Sequence, residues 1–320
     1  MSIAFIFPGQ GSQKVGMGME LARTFGSARE VFDAVDEALG RRLSAIIEDG
    51  PEDELTRTDN AQPALMAVSM AVVRVLEEDF DIDLARHAAF MAGHSLGEYS
   101  ALCAAGALSL DRTAKLLQTR GRSMAGATAP GVGGMSAILG LDLADVEAVA
   151  AEAAQGEVCV VANDNAPGQV VLSGHVGALE RAEKLAKEKG ARRAVRLNVS
   201  GPFHSPLMQK AAEAMSWALG EATEMPPKVP VVANVTAQPE TDVGTLVRNL
   251  VDQVTGRVRW RESMAFMHGE GVDLFVELGA GKVLSGLVKR NAKGAEAMSV
   301  ETPAEVEKLV ERLTGRKLEV

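Results

Sequence analysis

The first group in this chain with evident chemistry is a hydroxyl set between closely spaced glycines. Gly93-His94-Ser95-Leu96-Gly97 has the G-x-S-x-G spacing, which puts a serine on a sharp strand-to-helix turn with its Oγ exposed. The N–H after the serine, here that of Leu96, helps form an oxyanion hole, and the helix N-terminus favours developing negative charge. A serine nucleophile needs a base. The chain has five histidines, His87, His94, His175, His204 and His268. His94 sits inside the turn and is expected to point elsewhere. His204 lies in Gly201-Pro202-Phe203-His204-Ser205-Pro206, a loop stiffened by two prolines. Spacing leaves His204 open as either a base or a structural histidine. No Asp or Glu after Ser95 stands in a distinctive motif, so a full Ser-His-Asp triad is not supported.

The elements that must position these groups read as α/β. Ile3–Phe7 is a short apolar run stopped by Pro8-Gly9, as expected of a buried strand ending in a loop. Strand ends gather at the active site of such sheets, so the loop Pro8-Gly9-Gln10-Gly11-Ser12-Gln13 is expected near Ser95. Its spacing does not fit a phosphate loop. Helices are expected near 17–25 and 28–39. A long amphipathic helix is expected over 59–78, capped by Asp59 or Asn60, with Pro63 in its first turn. Ala88–Ala92 reads as a strand and Glu98–Ala105 as a helix, which is the context the serine turn requires. Further strands are expected at Val229–Ala233 and Val272–Glu277, and a terminal helix and tail over the last ~20 residues. Between about 128 and 198 the order becomes βαββαβ, the ferredoxin-like pattern. The expected fold is thus a hydrolase-like α/β domain with a mostly parallel sheet, residues 1–127 and 199–320, carrying an inserted ferredoxin-like subdomain over 128–198.

The 320 residues are 47% hydrophobic and 24% charged, ordinary for a globular enzyme. A net charge of −10 argues against nucleic acid as a partner. Cys103 and Cys159 have the spacing of neither a zinc site nor a redox pair and are expected to be buried apolar groups. The N-terminus lacks the features of a signal peptide, and no apolar run suits a membrane span, so a cytoplasmic protein is expected.

Six stretches in order, FPGQGSQ, GHSLGEYSAL, TRGRSM, NAPGQVVLSG, FHSPLM and VELGAGKVLSGLVKR, resemble the malonyl-CoA:acyl carrier protein transacylases of fatty-acid synthesis across nearly the whole chain. The resemblance implies Ser95 as nucleophile and His204 as general base and acid. It implies a backbone carbonyl, here that of Gln253, behind the histidine, and oxyanion-hole N–H groups from Gln10 and Leu96. Arg120 would bind the free malonyl carboxylate. Bidentate recognition of a carboxylate suits a guanidinium, whereas the residue type alone reads as a solvated helix charge. Arg122, two residues on, is expected to face elsewhere. His94, Met124, Asn163 and Phe203 fall where pocket lining is implied, and the Phe203 ring would crowd a methylmalonyl branch.

The implied reaction is ping-pong through a Ser95 ester, from malonyl-CoA to the phosphopantetheine thiol of acyl carrier protein. No cofactor or metal is implied, and the implied state is a monomer. An acidic carrier would dock on Lys184, Lys187, Lys189, Arg192 and Arg193 or on Lys289 and Arg290. Three other readings stand beside this one: a stand-alone acyltransferase for polyketide synthesis, a serine (thio)esterase and a non-catalytic carrier-binding module.

Overall fold

The computed structural model describes residues 2–220 and 225–315. Its larger sheet is built from β1 (Ile3–Phe7) and β2 (Ala88–Gly93), with four later strands beside them. In chain order the rest are β3 (Gly133–Leu139), β4 (Cys159–Ala166), β5 (Gln169–His175), β6 (Arg193–Arg196), β7 (Val231–Val232), β8 (Pro239–Glu240), β9 (Leu274–Leu278) and β10 (Glu296–Val300). The larger sheet runs β10-β9-β1-β2-β7-β8. It is parallel throughout except for the short β7–β8 pair at its edge. Every residue of β1 is buried, as befits a central parallel strand covered on both faces. Phe7 stands opposite Gly93, so the loops that follow β1 and β2 leave the sheet side by side. That register places Gln10 next to the serine turn.

The helix Thr58–Glu78 packs behind this sheet. It departs from the expected amphipathic stripe, since nearly all of its residues up to Leu76 are buried; a helix apolar on every side is a core helix. Arg57 occupies the N-cap position with no side-chain cap, so neither Asp59 nor Asn60 caps it, and Pro63 lies beyond the first turn. Proline there removes the hydrogen bond to the carbonyl four residues back. That carbonyl, Asp59 O, instead accepts from Arg41 Nη2 at 3.4 Å. The strand expected over 229–233 shrinks to the two residues of β7, and β10, which the sequence reading lacked, closes the opposite edge.

The second sheet is antiparallel, ordered β4-β5-β3-β6. Helices Leu143–Ala154 and Val176–Glu188 bury Ile138, Val170 and Leu172 against one face. Alternation along the strands sends Met135, Ala137 and Val171 to the other face, where they line the cleft above Ser95. The register of β4 shifts between Val161 and Asn163. An irregularity of this kind re-aims side chains, and beyond it Asn163 and Asn165 line the cleft. The segment between helices Val243–Thr255 and Trp260–Gly269 pairs with β4 through Val258, which donates to Ala162 O at 2.8 Å and accepts from Asp164 N at 3.0 Å.

Among the described residues no helix is long and apolar enough to cross a membrane. Cys159 is buried. Cys103, expected to be buried as well, is only half-buried, at a shallow cavity bounded by Met70, Glu77 and Leu110.

Candidate active site

Ser95 occupies the left-handed region, φ 54°, a conformation that costs a non-glycine residue energy and is held by its surroundings. Two glycines make the turn possible. A Cβ on Gly93 would lie 1.8 Å from Gly97 O, and one on Gly97 would lie 2.3 Å from Phe7 O. Asn234 then clasps the turn on both sides. Its Oδ1 accepts from Ser95 N at 2.8 Å and its Nδ2 donates to Gly93 O at 2.7 Å. Helix Gly97–Ala104 starts immediately beyond, with Leu96 at its N-cap position.

His204 comes to the serine from 109 residues away: Ser95 Oγ lies 2.8 Å from its Nε2. Its Nδ1 lies 2.8 Å from Gln253 O. A carbonyl only accepts, so Nδ1 carries the proton and Nε2 of the neutral ring is free to accept from the hydroxyl. Burial, reinforced by the Arg120 charge, holds the His204 pKa down at about 3. The other histidines are occupied elsewhere. His175 Nδ1 accepts from Val158 N at 2.9 Å and His268 Nδ1 meets Val272 O at 2.8 Å. His87 ends the short helix Leu84–His87. His94 does line the cleft, with Nε2 2.8 Å from Asn165 Oδ1 and its ring edge-on to Trp260.

Arg120 is not a solvated helix charge. It is 1% exposed. Its Nη1 donates to Gln62 Oε1 at 2.8 Å, and its Nη2 donates to Gln253 Oε1 at 2.8 Å and to Ser95 Oγ at 3.1 Å. The guanidinium lies over the Tyr99 ring, 5.7 Å from its centroid. Arg122 is exposed. A buried guanidinium this close to a hydroxyl can bind an anionic group brought to that hydroxyl.

The cleft over these groups measures about 450 Å³. Gln10, Leu96, Met124, Asn163 and Phe203 all border it. Met124 Sδ accepts from Gln62 Nε2 at 3.9 Å. Four participants escaped the sequence reading: Gln62, Glu98, Asn234 and the side chain of Gln253. Glu98 is fully buried, and desolvation pushes its pKa up to about 7 against the pull of its hydrogen bonds and of Arg120. The only signal for Glu98 was its place in the first turn after the serine; Gln62 and Asn234 carried none. Among the described residues no group of three or more His, Cys, Asp or Glu side chains is placed to hold a metal ion.

The model of the acyl transferase domain family matches residues 4–311. The chain belongs to that family. This acyl transferase is 44% identical over 313 residues to the malonyl CoA-acyl carrier protein transacylase of Bacillus subtilis, covering 97% of each chain. It is 42% identical over 301 residues to the transacylase of the same name from Escherichia coli strain K12, covering 94% of this chain and 96% of the other. Among solved structures it superposes on the acyl-carrier-protein-S-malonyltransferase of Bartonella henselae with a TM-score of 0.96 and 52% identity, covering 99% of this chain and 100% of that one. A malonyl-transacylase solved in complex with a type II polyketide acyl carrier protein matches with a TM-score of 0.94 and 39% identity, covering 98% and 100%.

Proposed function

We propose that this acyl transferase moves a malonyl group from malonyl-CoA to the phosphopantetheine thiol of an acyl carrier protein, supplying chain elongation in fatty-acid synthesis. One observation carries the choice of acyl group: the buried Arg120 guanidinium 3.1 Å from Ser95 Oγ. Malonyl differs from acetyl by one carboxylate, and that carboxylate lies a single methylene from the carbonyl under attack.

The hydrogen bonds among Ser95, His204 and Gln253 support the following roles. His204 Nε2 takes the Ser95 proton as Oγ attacks the thioester carbonyl. The oxyanion is received by the Gln10 and Leu96 N–H groups. The thiolate of coenzyme A departs with the proton from His204. The carrier thiol then attacks the Ser95 ester with His204 again as base. The Gln253 carbonyl holds the imidazole in the required tautomer, where a hydrolase would be expected to use a carboxylate. His94, Met124, Asn163 and Phe203 shape the pocket around the acyl group. The reaction itself calls for no resident cofactor.

Further assignments go with this reading. Residues 128–198 form an inserted ferredoxin-like subdomain, and its strand order and two helices on one face support that. Residues 1–127 and 199–320 form the hydrolase-like domain. The enzyme acts as a monomer in the reducing cytoplasm, which suits its two free thiols. The carrier docks at Lys289 and Arg290, because Arg290 Nη1 donates to Gln169 Oε1 at 2.8 Å and Gln169 borders the cleft. The other basic cluster is partly spent, with Lys189 paired to Glu152 at 3.1 Å. A polyketide carrier is the second reading, favoured by the likeness to the transacylase solved with such a partner.

Mass spectrometry of holo carrier protein mixed with enzyme and malonyl-CoA tests the transfer. The expected product is carrier bearing one malonyl thioester; free malonate with unmodified carrier would identify a thioesterase instead.

A further inference from the structure

Glu98 touches neither Ser95 Oγ nor His204, yet it lies where the two supports of the site meet. Its Oε2 accepts from Asn234 N at 3.1 Å and from Gln253 Nε2 at 2.6 Å. Asn234 is the residue that clasps the serine turn. Gln253 presents its carbonyl to His204, its Oε1 to Arg120 and its Nε2 also to Ser95 O at 3.0 Å. Glu98 Oε1 has no hydrogen-bond partner among the described residues. A fully buried carboxylate left half unsatisfied costs stability, so packing alone does not account for an acid at this position.

We propose that Glu98 is a positioning residue that couples the serine turn to the carboxylate clamp, by holding Asn234 with one hydrogen bond and fixing with the other which end of the Gln253 amide faces Arg120. Glu98 Oε2 is an acceptor here and calls for a donor, so the Gln253 amide turns Nε2 toward it. Gln253 Oε1 is thereby left to accept from Arg120 Nη2. This inference rests on the reading of Arg120 as the malonyl clamp.

The test compares Glu98→Gln with Glu98→Met. Glutamine keeps an accepting oxygen; methionine keeps the volume and has none. Malonyl and acetyl loading of Ser95 are followed separately, as kcat/KM, with melting temperature alongside. Glu98→Met is expected to lose about tenfold of its preference for malonyl over acetyl, the scale of one charge-assisted hydrogen bond. Glu98→Gln is expected to stay within about threefold of wild type. Equal loss for both acyl groups in Glu98→Met would mark Glu98 as a packing residue and overturn the proposal. Should that variant not fold, Gln253→Leu, which keeps the carbonyl behind His204, takes its place: an unchanged preference there overturns the coupling. Absence of a malonyl ester on wild-type enzyme would instead sink the underlying function.

Discussion

His204 is buried against a permanent cation, and that decides how the site responds to acid. A histidine at its ordinary pKa loses its basic form as pH falls below about 6.5. Held at about 3, His204 stays neutral, and so able to accept the Ser95 proton, well below that. The rate of coenzyme A release in the first turnover, followed by stopped flow, is therefore expected to show no histidine limb between pH 8 and pH 5. Arg120→Ala removes the largest cause of the depression after burial, so its acidic limb is expected to move up toward neutrality. A wild-type limb near 6.5 would mean that the imidazole is more hydrated than its burial implies. Arg120 was also the residue whose sequence setting misled most. A lone arginine on a helix reads as solvated, and only the resemblance pointed inward. The partners that accept its hydrogen bonds, Gln62 and Gln253, lie 58 and 133 residues away, and no local pattern reports contacts at that range.

At the level of elements, the strand–turn–helix around Ser95 was legible because its determinants are contiguous: an apolar run, two glycines and a helix start. The structure adds that Gly97 serves packing between elements as well as the turn itself, since its α-carbon faces Phe7 O on β1. Gly97→Ala is expected to force the turn away from β1, at a cost of roughly 1–3 kcal/mol as for other overpacked sites, with acylation lost alongside. Thermal melting and ester formation check both effects; an alanine variant of wild-type stability and rate would contradict the close approach. Helix Thr58–Glu78 was placed correctly and described wrongly. Its start depends on Arg57 and on the contact Arg41 makes with Asp59 O, which is tertiary and invisible to capping rules. β10 went unread because an edge strand of five residues, with two exposed and two half-buried, has little apolar pattern to detect.

For the whole molecule, the order of elements carried most of the architecture. A parallel sheet and a separate antiparallel one followed from periodicity, while the cleft between them depends on which face of each strand turns inward, and in β4 a register shift decides that. The contact that brings Arg290 to Gln169 at the cleft likewise required the fold. Reversing the charges of Lys289 and Arg290 is expected to raise the carrier KM several-fold while leaving malonyl loading from coenzyme A unchanged, because rim charges act mainly on association. An unaltered carrier KM would move the docking surface elsewhere.

The most direct test of the account is the intact mass of the protein after mixing with malonyl-CoA, with acetyl-CoA in parallel, for wild type, Ser95→Ala and Arg120→Ala. The geometry predicts a malonyl adduct on wild type, none on Ser95→Ala, and a preference for malonyl over acetyl that Arg120→Ala loses. Wild-type protein that releases coenzyme A without ever carrying the acyl group, or an Arg120→Ala variant that still prefers malonyl, would contradict it.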